Sequence, residues 1–475
     1  MPLHPDRLFP SDPGTRAVAR ELYTAIKSLP LISPHGHVPA GMLADNTPLP
    51  DPVALFVAPD HYVTRMLYSQ GIEPAAFGAP DRDGSVRVEP REAWRTLCSY
   101  WYLFRGTPSK MWLEQALEDV FGVRADLGPS TADEIFDALS AKLAGEEFRP
   151  RALFDSFNIE VLATTDSPLD SLADHSRLER DGYGGRIIPT FRPDSVVDPD
   201  SPGWLHNVER LAEVAGQDTS TYEGYLAAIA SRRAAFVAAG ATASDHGHPT
   251  AATVDLDRAE AGRLYDRLRG QRPAAGDAEL FRANMLMELA AMSVDDGLVM
   301  QIHPGSVRDY VKPLHARYGR DAGGDIPAAT DYVRGLRPLL DRFGTDPAFR
   351  LVLFTLDEST YSRELAPLAG VYPAVLLGSP WWFFDSAEGI RRYRELTSET
   401  AGFYNTVGFT DDTRALPSIP VRHDVSRRLD CAYLARLVTE HRLTLDEAAA
   451  TATDLAYELP KKGYRLNDRA RRRAA

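Results

Sequence analysis

Cysteine is nearly absent from this sequence, since Cys98 and Cys431 are the only two among 475 residues. Two cysteines cannot build a disulfide framework, and no Cys-x-x-Cys pair of the kind that holds a structural metal occurs. This sparse use of cysteine predicts a protein of the reducing cytoplasm.

Long apolar segments are missing as well. No run of 18 apolar residues occurs, and residues 1–7 lack the basic stretch followed by an apolar one that marks a secretion signal. Secretion and membrane spanning are therefore not expected.

Positive charge is in deficit, because 53 Lys and Arg against 67 Asp and Glu give a net charge of −14. This balance argues against a nucleic-acid or an anionic-membrane partner. No glycine-rich phosphate fingerprint precedes a helix, so a dinucleotide redox cofactor is not expected either. We therefore expect the protein to bind a small molecule. The sequence leaves open whether the protein forms a homo-oligomer.

Eight short apolar runs rich in β-branched residues divide the chain, and each is followed by polar or reactive side chains. Helical patterns lie between most of them, and Asp385 with Glu388, like Thr444 with Glu447, has the spacing of a capping box. Such alternation predicts parallel strands with helices outside, and eight closing strands make a (β/α)8 TIM barrel. The runs are 29–33, 159–164, 186–191, 239–244, 298–303, 350–355, 374–378 and 406–410.

The first two runs are about 125 residues apart, which is far longer than a crossover helix. The segments 51–70, 91–104, 110–121 and 132–145 within this interval have helical patterns. We therefore expect three parts in an α/β protein. Residues 1–50 hold an N-terminal helix and the first strand, residues 51–150 form a helical insertion over the barrel mouth, and residues 151–475 complete the barrel.

Two histidines follow the first run, His35 and His37, with only Gly36 between them. Imidazoles at positions i and i+2 of an extended chain point the same way, so both can offer a ring nitrogen to one divalent ion. Asp412 follows the eighth run, which neighbours the first run if the sheet closes, and it is the candidate third ligand. Ordinary loop histidines are the alternative interpretation, because His-x-His pairs also arise by chance.

Reactive side chains gather at the C-terminal ends of the predicted strands, where barrel enzymes place their active sites. A metal with three protein ligands keeps open positions, as catalytic sites do, and neighbouring arginines bind carboxylates bidentately. The cluster predicts a site for a small, acidic, hydroxylated substrate. Its members are His35, His37, Arg192, Asp245, His246, His303, Trp381, Trp382, Asp412 and Arg414.

Eight ordered segments make the sequence resemble the uronate (glucuronate) isomerases of the amidohydrolase superfamily over most of its length. Agreement of eight segments in order is far more specific than one motif. The segments are His35-Gly36-His37, Asp60-His61-Tyr62-Val63-Thr64-Arg65, Ala163-Thr164-Thr165-Asp166-Ser167-Pro168, Pro189-Thr190-Phe191-Arg192-Pro193-Asp194, Ala243-Ser244-Asp245-His246-Gly247, Val299-Met300-Gln301-Ile302-His303, Gly378-Ser379-Pro380-Trp381-Trp382-Phe383 and Asp412-Thr413-Arg414.

The resemblance implies a metal-dependent aldose–ketose isomerase that converts D-glucuronate to D-fructuronate and D-galacturonate to D-tagaturonate. His35, His37 and Asp412 would then hold a divalent metal, usually zinc. An enediol route needs a base for the C2 proton and a group that stabilises the developing oxyanion. The expected roles are Asp412 or a metal-activated water as base, Tyr62 or His61 as proton donor, and a substrate-binding set of Arg192, Arg414, Trp381 and His303.

The sequence departs from the family pattern at two strand ends. Residues 304–309 replace the Gly-Ala-x-Arg-Asn stretch that usually follows His303, and run six ends in Thr355-Leu356 where the family has an asparagine-containing turn. Substrate is recognised at these strand ends. We therefore expect the metal site and the fold to be those of the family, while the sequence does not identify the exact sugar acid.

Two other functions fit the same fold. A metal-dependent hydrolase or decarboxylase of a sugar acid is the main alternative, but most such hydrolases place a further metal-binding histidine after run six, where this chain has Thr355 and Leu356. A non-catalytic sugar-acid binding protein would need no base.

Several single residues also have a purely structural interpretation. Arg192 fits a surface ion pair as well as a substrate contact, and His246 fits a hydrogen-bonded core histidine better than a functional one. His303 fits either a further metal ligand or a hydrogen bond to the site. Trp381 and Trp382 are consecutive, so one of them is expected to pack away from the site.

Overall fold

Short strands alternate with helices in the computed structural model, which describes residues 3–124, 126–270 and 272–468. Nine strands lie within these residues: β1 (Leu31–Ser33), β2 (Ile159–Ala163), β3 (Ile187–Ile188), β4 (Ala243–His246), β5 (Val299–Ile302), β6 (Ser306–Val307), β7 (Ile326–Pro327), β8 (Leu351–Leu353) and β9 (Val375–Leu377). Two sheets are parallel, in the orders β1-β2-β3 and β4-β5-β8-β9, and β6 pairs with β7 antiparallel. The prediction of an α/β fold with parallel strands is confirmed.

Helices make up most of the remaining structure. Many begin at a side chain that accepts backbone N–H groups, as Asp12 does from Thr15 N. Within the described ranges the helices are α1 (Pro13–Ile26), α2 (Ala40–Asp45), α3 (Pro52–Phe56), α4 (His61–Tyr68), α5 (Pro90–Ser99), α6 (Pro108–Gln115), α7 (Ala132–Leu143), α8 (Pro150–Ser156), α9 (Ala173–Leu178), α10 (Asp194–Val197), α11 (Trp204–Ala215), α12 (Tyr222–Ala238), α13 (Arg258–Arg269), α14 (Asp277–Asp296), α15 (Lys312–Tyr318), α16 (Tyr332–Gly335), α17 (Arg337–Phe343), α18 (Ala366–Ala369), α19 (Ala387–Ala401), α20 (Ile419–Thr439), α21 (Leu445–Thr453) and α22 (Leu459–Gly463).

The two parallel sheets are linked in chain order. Phe191, just beyond β3, pairs with Ser244 of β4, and its N–H donates to Ala243 O at 3.2 Å. On the other side, Leu377 of β9 pairs with Thr406 of the eighth run. Each predicted run therefore lies beside the run that precedes it in the sequence.

The eighth run differs from its prediction, since residues 406–410 form one isolated bridge and no strand. Gly408 has a positive φ of 69°, which interrupts the extended backbone that a strand requires. The fourth run is displaced as well. Helix α12 continues to Ala238 and Gly240 turns the chain with φ of 99°, so β4 starts only at Ala243 and includes His246.

One apolar cluster contains buried side chains from seven of the eight runs, with partly buried Leu376 from the seventh run packed against it. Successive side chains of a strand point to opposite faces, so this cluster marks one common face of all the runs. A second cluster joins the helices between β1 and β2 to the outer face of the first sheet and to α20. The members of the first cluster that come from the runs are Ile32, Val161, Ala163, Ile188, Ala243, Val299, Val352, Phe354 and Val407.

The two expected capping boxes have different outcomes. Thr444 and Glu447 form one at the start of α21, as predicted. The prediction for Asp385 is wrong, because Ser386 caps α19 by accepting from Gly389 N. A serine hydroxyl at that position reaches the N–H groups of the first turn, and Asp385 is left free to contact α4 and α20.

Both cysteines are free and buried. Among the residues described, none of the helices combines the length and the apolar character that crossing a bilayer would require.

We expect Gly408→Ala to lower the free energy of unfolding by more than the cost of placing an alanine at a positive φ. A Cβ at Gly408 would lie 2.3 Å from Leu455 O, whereas a Cβ at Gly216, with φ of 63°, meets nothing within 4 Å. Gly216→Ala should cost about 1–2 kcal/mol from the left-handed backbone, and Gly408→Ala a further 1–3 kcal/mol or so from the clash. Urea unfolding of the two variants measures the difference. Equal losses would mean that the last run tolerates a shift of the backbone.

Candidate active site

The two histidines and the aspartate singled out in the sequence come together at one edge of the sheets. His35 Nε2 lies 3.7 Å from Asp412 Oδ1, and His37 Nε2 lies 3.1 Å from the same oxygen. The backbone holds this arrangement, because His37 N donates to Thr413 O at 2.8 Å. His35 is buried, while His37 and Asp412 are partly open to a cavity of about 970 Å³.

Other side chains set the orientation of His35. Gln301 Nε2 lies 2.8 Å from His35 Nδ1, and Gln301 Oε1 accepts from the hydroxyl of Tyr464 at 2.8 Å. The ring also stacks on Trp381 with centroids 4.5 Å apart. Because Nδ1 is engaged, Nε2 is the nitrogen presented toward Asp412.

The donor set fits a divalent metal ion. An ion about 2.1 Å from three tetrahedral ligand atoms requires them to lie about 3.4 Å apart, and the two contacts to Asp412 bracket that distance. Burial lowers the pKa of His35 to about 4, so its ring is neutral. Burial alone would raise the pKa of Asp412, but His37 and His35 hold it well below its ordinary value. Neutral imidazoles and an ionised carboxylate are the forms that bind metal.

A fully buried carboxylate, Asp245, lies beside the candidate metal-binding set and contacts His303 and Arg192. Its Oδ1 lies 2.9 Å from His303 Nε2 and accepts from Gln301 Nε2 at 3.0 Å, and its Oδ2 lies 3.3 Å from Arg192 Nη1. Burial raises the pKa of Asp245, but His303 and Arg192 outweigh burial and hold it well below the ordinary range. His303 is thus placed beside the metal ligands through Asp245 and Gln301.

The arginines of the cavity differ in their partners. Arg192 Nε donates to Asp194 Oδ2 at 3.0 Å in addition to its contact with Asp245, so two carboxylates share its charge. Arg308 donates to Asp325 at 2.7 Å. Arg414 is exposed on the cavity wall, and none of the described carboxylates lies within 4.0 Å of its guanidinium. Arg414 is therefore the arginine best able to receive an external carboxylate.

His61 and Tyr62 occupy the first turn of α4, because Asp60 accepts from Tyr62 N and Val63 N and starts the helix there. Burial, reinforced by Arg414, lowers the pKa of His61 to about 4, so its ring is neutral. The Tyr62 hydroxyl donates to Asp385 Oδ1 at 2.6 Å and accepts from Phe383 N at 2.6 Å. Burial and Asp385 raise the pKa of Tyr62 well above its ordinary value, so the phenol stays protonated.

The consecutive tryptophans are placed differently. Trp381 is buried between His35 and Phe354 and donates to Thr410 O at 2.9 Å. Trp382 is more open, with its ring 5.7 Å from that of His61. His246 is fully buried, and its Nε2 contacts Ser244 Oγ at 3.0 Å. Its Nδ1 has no hydrogen-bond partner among the described residues. The expectation of a fully hydrogen-bonded core histidine is therefore met at only one of the two ring nitrogens.

Sequence reasoning did not single out four residues that shape this site: Gln301, Arg308, Asp385 and Tyr464. Gln301 had a detectable pattern, since it precedes His303 by two positions on β5 and shares its face. Arg308 follows β6, within residues 304–309, where the sequence differs from the family pattern. No local pattern indicates that Asp385 or Tyr464 contributes to the site, because their partners lie far away along the chain.

Paired histidines and an aspartate at the ends of parallel strands, with an open cavity beside them, define the class of metal-dependent α/β enzymes. The profile of the Glucuronate isomerase family matches residues 14–464. A uronate isomerase of Rhizorhabdus wittichii is 59% identical over 466 residues, which cover 98% of both chains. The chain belongs to the glucuronate isomerase family, as the eight sequence segments predicted.

Solved structures agree with this assignment. The glucuronate isomerase of Caulobacter crescentus superimposes with a TM-score of 0.96 at 55% identity, covering 98% of this chain and 97% of its own. The uronate isomerase of Thermotoga maritima gives a TM-score of 0.90 at 29% identity, covering 98% and 100%. The α/β fold of this chain is the fold of those enzymes.

Stability should fall as pH falls from 6.5 toward 4, even in metal-free protein. Burial lowers the pKa of His35, His61 and His175 to about 4 and that of His246 to about 3. In this window the unfolded chain binds protons at these positions that the folded protein does not bind. As pH falls through this window, each such histidine therefore costs at most about 1.4 kcal/mol of unfolding free energy per pH unit. The cost is absent above about pH 6.5 and stops growing below the pKa of the folded protein.

Urea unfolding of chelator-treated protein at several pH values measures this slope. His175→Gln should reduce it, whereas His206→Gln at an exposed position should leave it unchanged. A slope that is identical in all three proteins would show that folding does not lower the pKa of His175.

Proposed function

We propose that this chain is a metal-dependent aldose–ketose isomerase of hexuronates, which converts D-glucuronate to D-fructuronate and D-galacturonate to D-tagaturonate. The observation that carries the proposal is the placement on one cavity of His35, His37 and Asp412 together with Arg414, whose guanidinium has no carboxylate within 4.0 Å among the described residues. A metal centre and an arginine on one cavity suit a substrate that has hydroxyls at one end and a carboxylate at the other. Membership of the glucuronate isomerase family supports the same reaction.

The architecture that we propose for this site is a closed (β/α)8 barrel. Three observations support closure between the eighth and the first run. The runs are neighbours in chain order, the backbone of His37 is hydrogen-bonded to Thr413, and one apolar cluster includes residues from all the runs. A barrel interior packed with side chains from every strand has this composition.

Residues 51–150 form, in this proposal, an insertion that covers the barrel mouth, with residues 1–50 and 151–475 making the barrel. Its helix α4 supplies His61 and Tyr62 to the cavity wall. The Tyr62 hydroxyl bonds to Asp385, which also binds Arg422 of α20, so a buried polar chain ties α4 to the barrel. We assign Tyr62 the role of positioning the first turn of α4.

The metal is held by His35, His37 and Asp412, and the two imidazoles and one carboxylate favour zinc. A bound divalent ion supplies Lewis-acid stabilisation to the negative charge that develops on a substrate oxygen. Gln301 and Trp381 keep His35 oriented for this task. Arg192 and His303, through Asp245, keep the charge beside the ligands balanced.

Proton transfer is assigned to the cavity-facing groups. Asp412 is ionised and takes the C2 proton of the substrate in this proposal. His61 is neutral, and in this proposal it relays the second proton: its ring N–H donates a proton to the C1 oxygen while its other ring nitrogen takes the proton of the C2 hydroxyl, so the ring ends uncharged. Asp412 returns the proton that it took from C2 to C1, which completes the ketose. The Tyr62 proton is already committed to Asp385, so we favour His61 over Tyr62 as the donor.

Arg414 binds the substrate carboxylate, and Trp382 with Arg308 borders the same space. A charge-assisted, bidentate pair with a carboxylate fixes both the position and the direction of the sugar acid. The site does not favour the hydrolase alternative. Thr355 and Leu356 line the cavity where run six ends, at the place where most such hydrolases have a metal-binding histidine.

Ketose formation from a panel of uronates tests the proposed reaction. We expect turnover of glucuronate, galacturonate or both, followed by a ketose-specific colour reaction or by NMR, and no release of acid from lactones and amides. Glucose should react far more slowly because it lacks the carboxylate. Hydrolysis without isomerisation would overturn the proposal, and binding without turnover would indicate a sugar-acid binding protein.

Removing a proposed ligand should remove metal. Protein reconstituted with Zn²⁺ and freed of excess ion should hold one equivalent less in His37→Ala or Asp412→Asn than in the wild type, with an unchanged circular dichroism spectrum. The exposed His206→Ala is the matched control. If both ligand variants retain the wild-type metal content, measured by inductively coupled plasma mass spectrometry, the ligand set is wrong.

Arg414→Met should lower kcat/KM for the uronate by about 2–4 kcal/mol in transition-state free energy, since a charge-assisted pair is lost. The residual reaction with the neutral aldose should be nearly unchanged, and so should the melting temperature. Arg192→Met differs, because it leaves Asp194 and Asp245 without their cation and should lower stability as well as activity. An equal loss for glucose and glucuronate in Arg414→Met would show that Arg414 does not read the acid.

A further inference from the structure

The sequence His-Gly-His occurs twice in this chain, at residues 35–37 and again at 246–248, where the second copy begins at the last residue of β4. An aspartate lies beside each pair: Asp412 beside the first and Asp194 beside the second. We propose that Asp194, His246 and His248 form a second binding site for a divalent cation of the zinc class.

The three side chains converge at the start of α10, where Asp194 is the first residue. One ligand atom from each residue lies within 4.8 Å of the other two. His246 is 0% and His248 is 5% exposed, and Asp194 lines the large cavity, which gives an ion a route of entry. Tetrahedral coordination needs ligand atoms about 3.4 Å apart, so side-chain rotation on binding has to close any distance between that spacing and the 4.8 Å limit.

Both imidazoles have nitrogens that the protein leaves without partners. His246 Nε2 contacts Ser244 Oγ, so Nδ1 is the free atom, and neither nitrogen of His248 has a hydrogen-bond partner within the described parts of the chain. Buried polar atoms are normally satisfied, and each exception is costly. Burial also keeps both rings neutral by lowering their pKa values, which is the form of imidazole that binds metal.

Charge around the site favours a cation. Asp194 and Asp245 both contact the guanidinium of Arg192, but Asp245 also has His303 as a partner, so Asp194 shares its one cation. Arg192 Nε donates to Asp194 Oδ2, and the N–H of Gly247 donates to both oxygens, at 3.2 Å to Oδ1 and 3.1 Å to Oδ2. A carboxylate oxygen accepts more than one contact, so Oδ1 can bind an ion while Oδ2 stays with Arg192.

The glycine between the histidines keeps this space open. A Cβ at Gly247 would lie 2.7 Å from Arg192 Nη2, 2.8 Å from Asp194 Oδ2 and 3.0 Å from His303 Cε1. The backbone can therefore approach Asp194 only without a side chain at position 247.

Counting bound zinc tests the proposal, with Zn²⁺ itself as the probe. Full-length protein is stripped with a chelator, saturated with Zn²⁺, freed of excess ion and measured by mass spectrometry. Wild type should hold two equivalents, His37→Ala and His248→Leu one each, and the double variant almost none. A wild type that binds one equivalent at saturation, or a His248→Leu that binds as much as the wild type, would overturn the second site.

Two further measurements keep the test independent of folding. His248→Leu replaces two unpartnered nitrogens with an apolar side chain, so its metal-free melting temperature should equal or exceed that of the wild type. Asp194→Asn keeps the shape of the residue and should also lose the second equivalent. Loss of zinc in His37→Ala alone, with no change in either second-site variant, would support the first site and reject the second.

Discussion

The backbone hydrogen bond from His37 to Thr413 is the contact on which the rest of the site depends. It joins the segment after the first run to the segment after the last run. Two histidines and an aspartate from opposite ends of the chain are thereby brought together, with His35 Nε2 at 3.7 Å and His37 Nε2 at 3.1 Å from Asp412 Oδ1. Without that contact the three ligands would be isolated side chains on separate loops.

Burial of charge is the second constraint. Asp245 is ionised at the centre of the protein only because His303, Gln301 and Arg192 surround it with donors. Gln301 links the same carboxylate to His35, and Asp245 itself contacts Arg192. The candidate metal-binding set and this arginine therefore share one buried carboxylate.

The helices between β1 and β2 add the remaining wall of the cavity. Their position depends on polar contacts across long sequence separations, above all Tyr62 with Asp385 and Asp385 with Arg422, and on an apolar core shared with the first sheet. Arg422 also lies over the ring of Trp112, with its guanidinium 3.8 Å from the ring centroid. These contacts hold α4 in place, so that His61 lines the cavity.

The amino-acid sequence by itself determined the alternation of strands and helices, the His35, His37 and Asp412 set and the family, because apolar periodicity and ordered motifs are local properties of the chain. It did not determine the ends of β4, the break at Gly408 or the role of Asp385, since these depend on where α12 stops and on which distant side chain competes for each polar group. Likewise, Arg192 and Arg414 look equivalent in the sequence. Only the tertiary structure places two carboxylates against Arg192 and, among the residues described, none within 4.0 Å of Arg414, because the partners of a charged group come from segments far away along the chain.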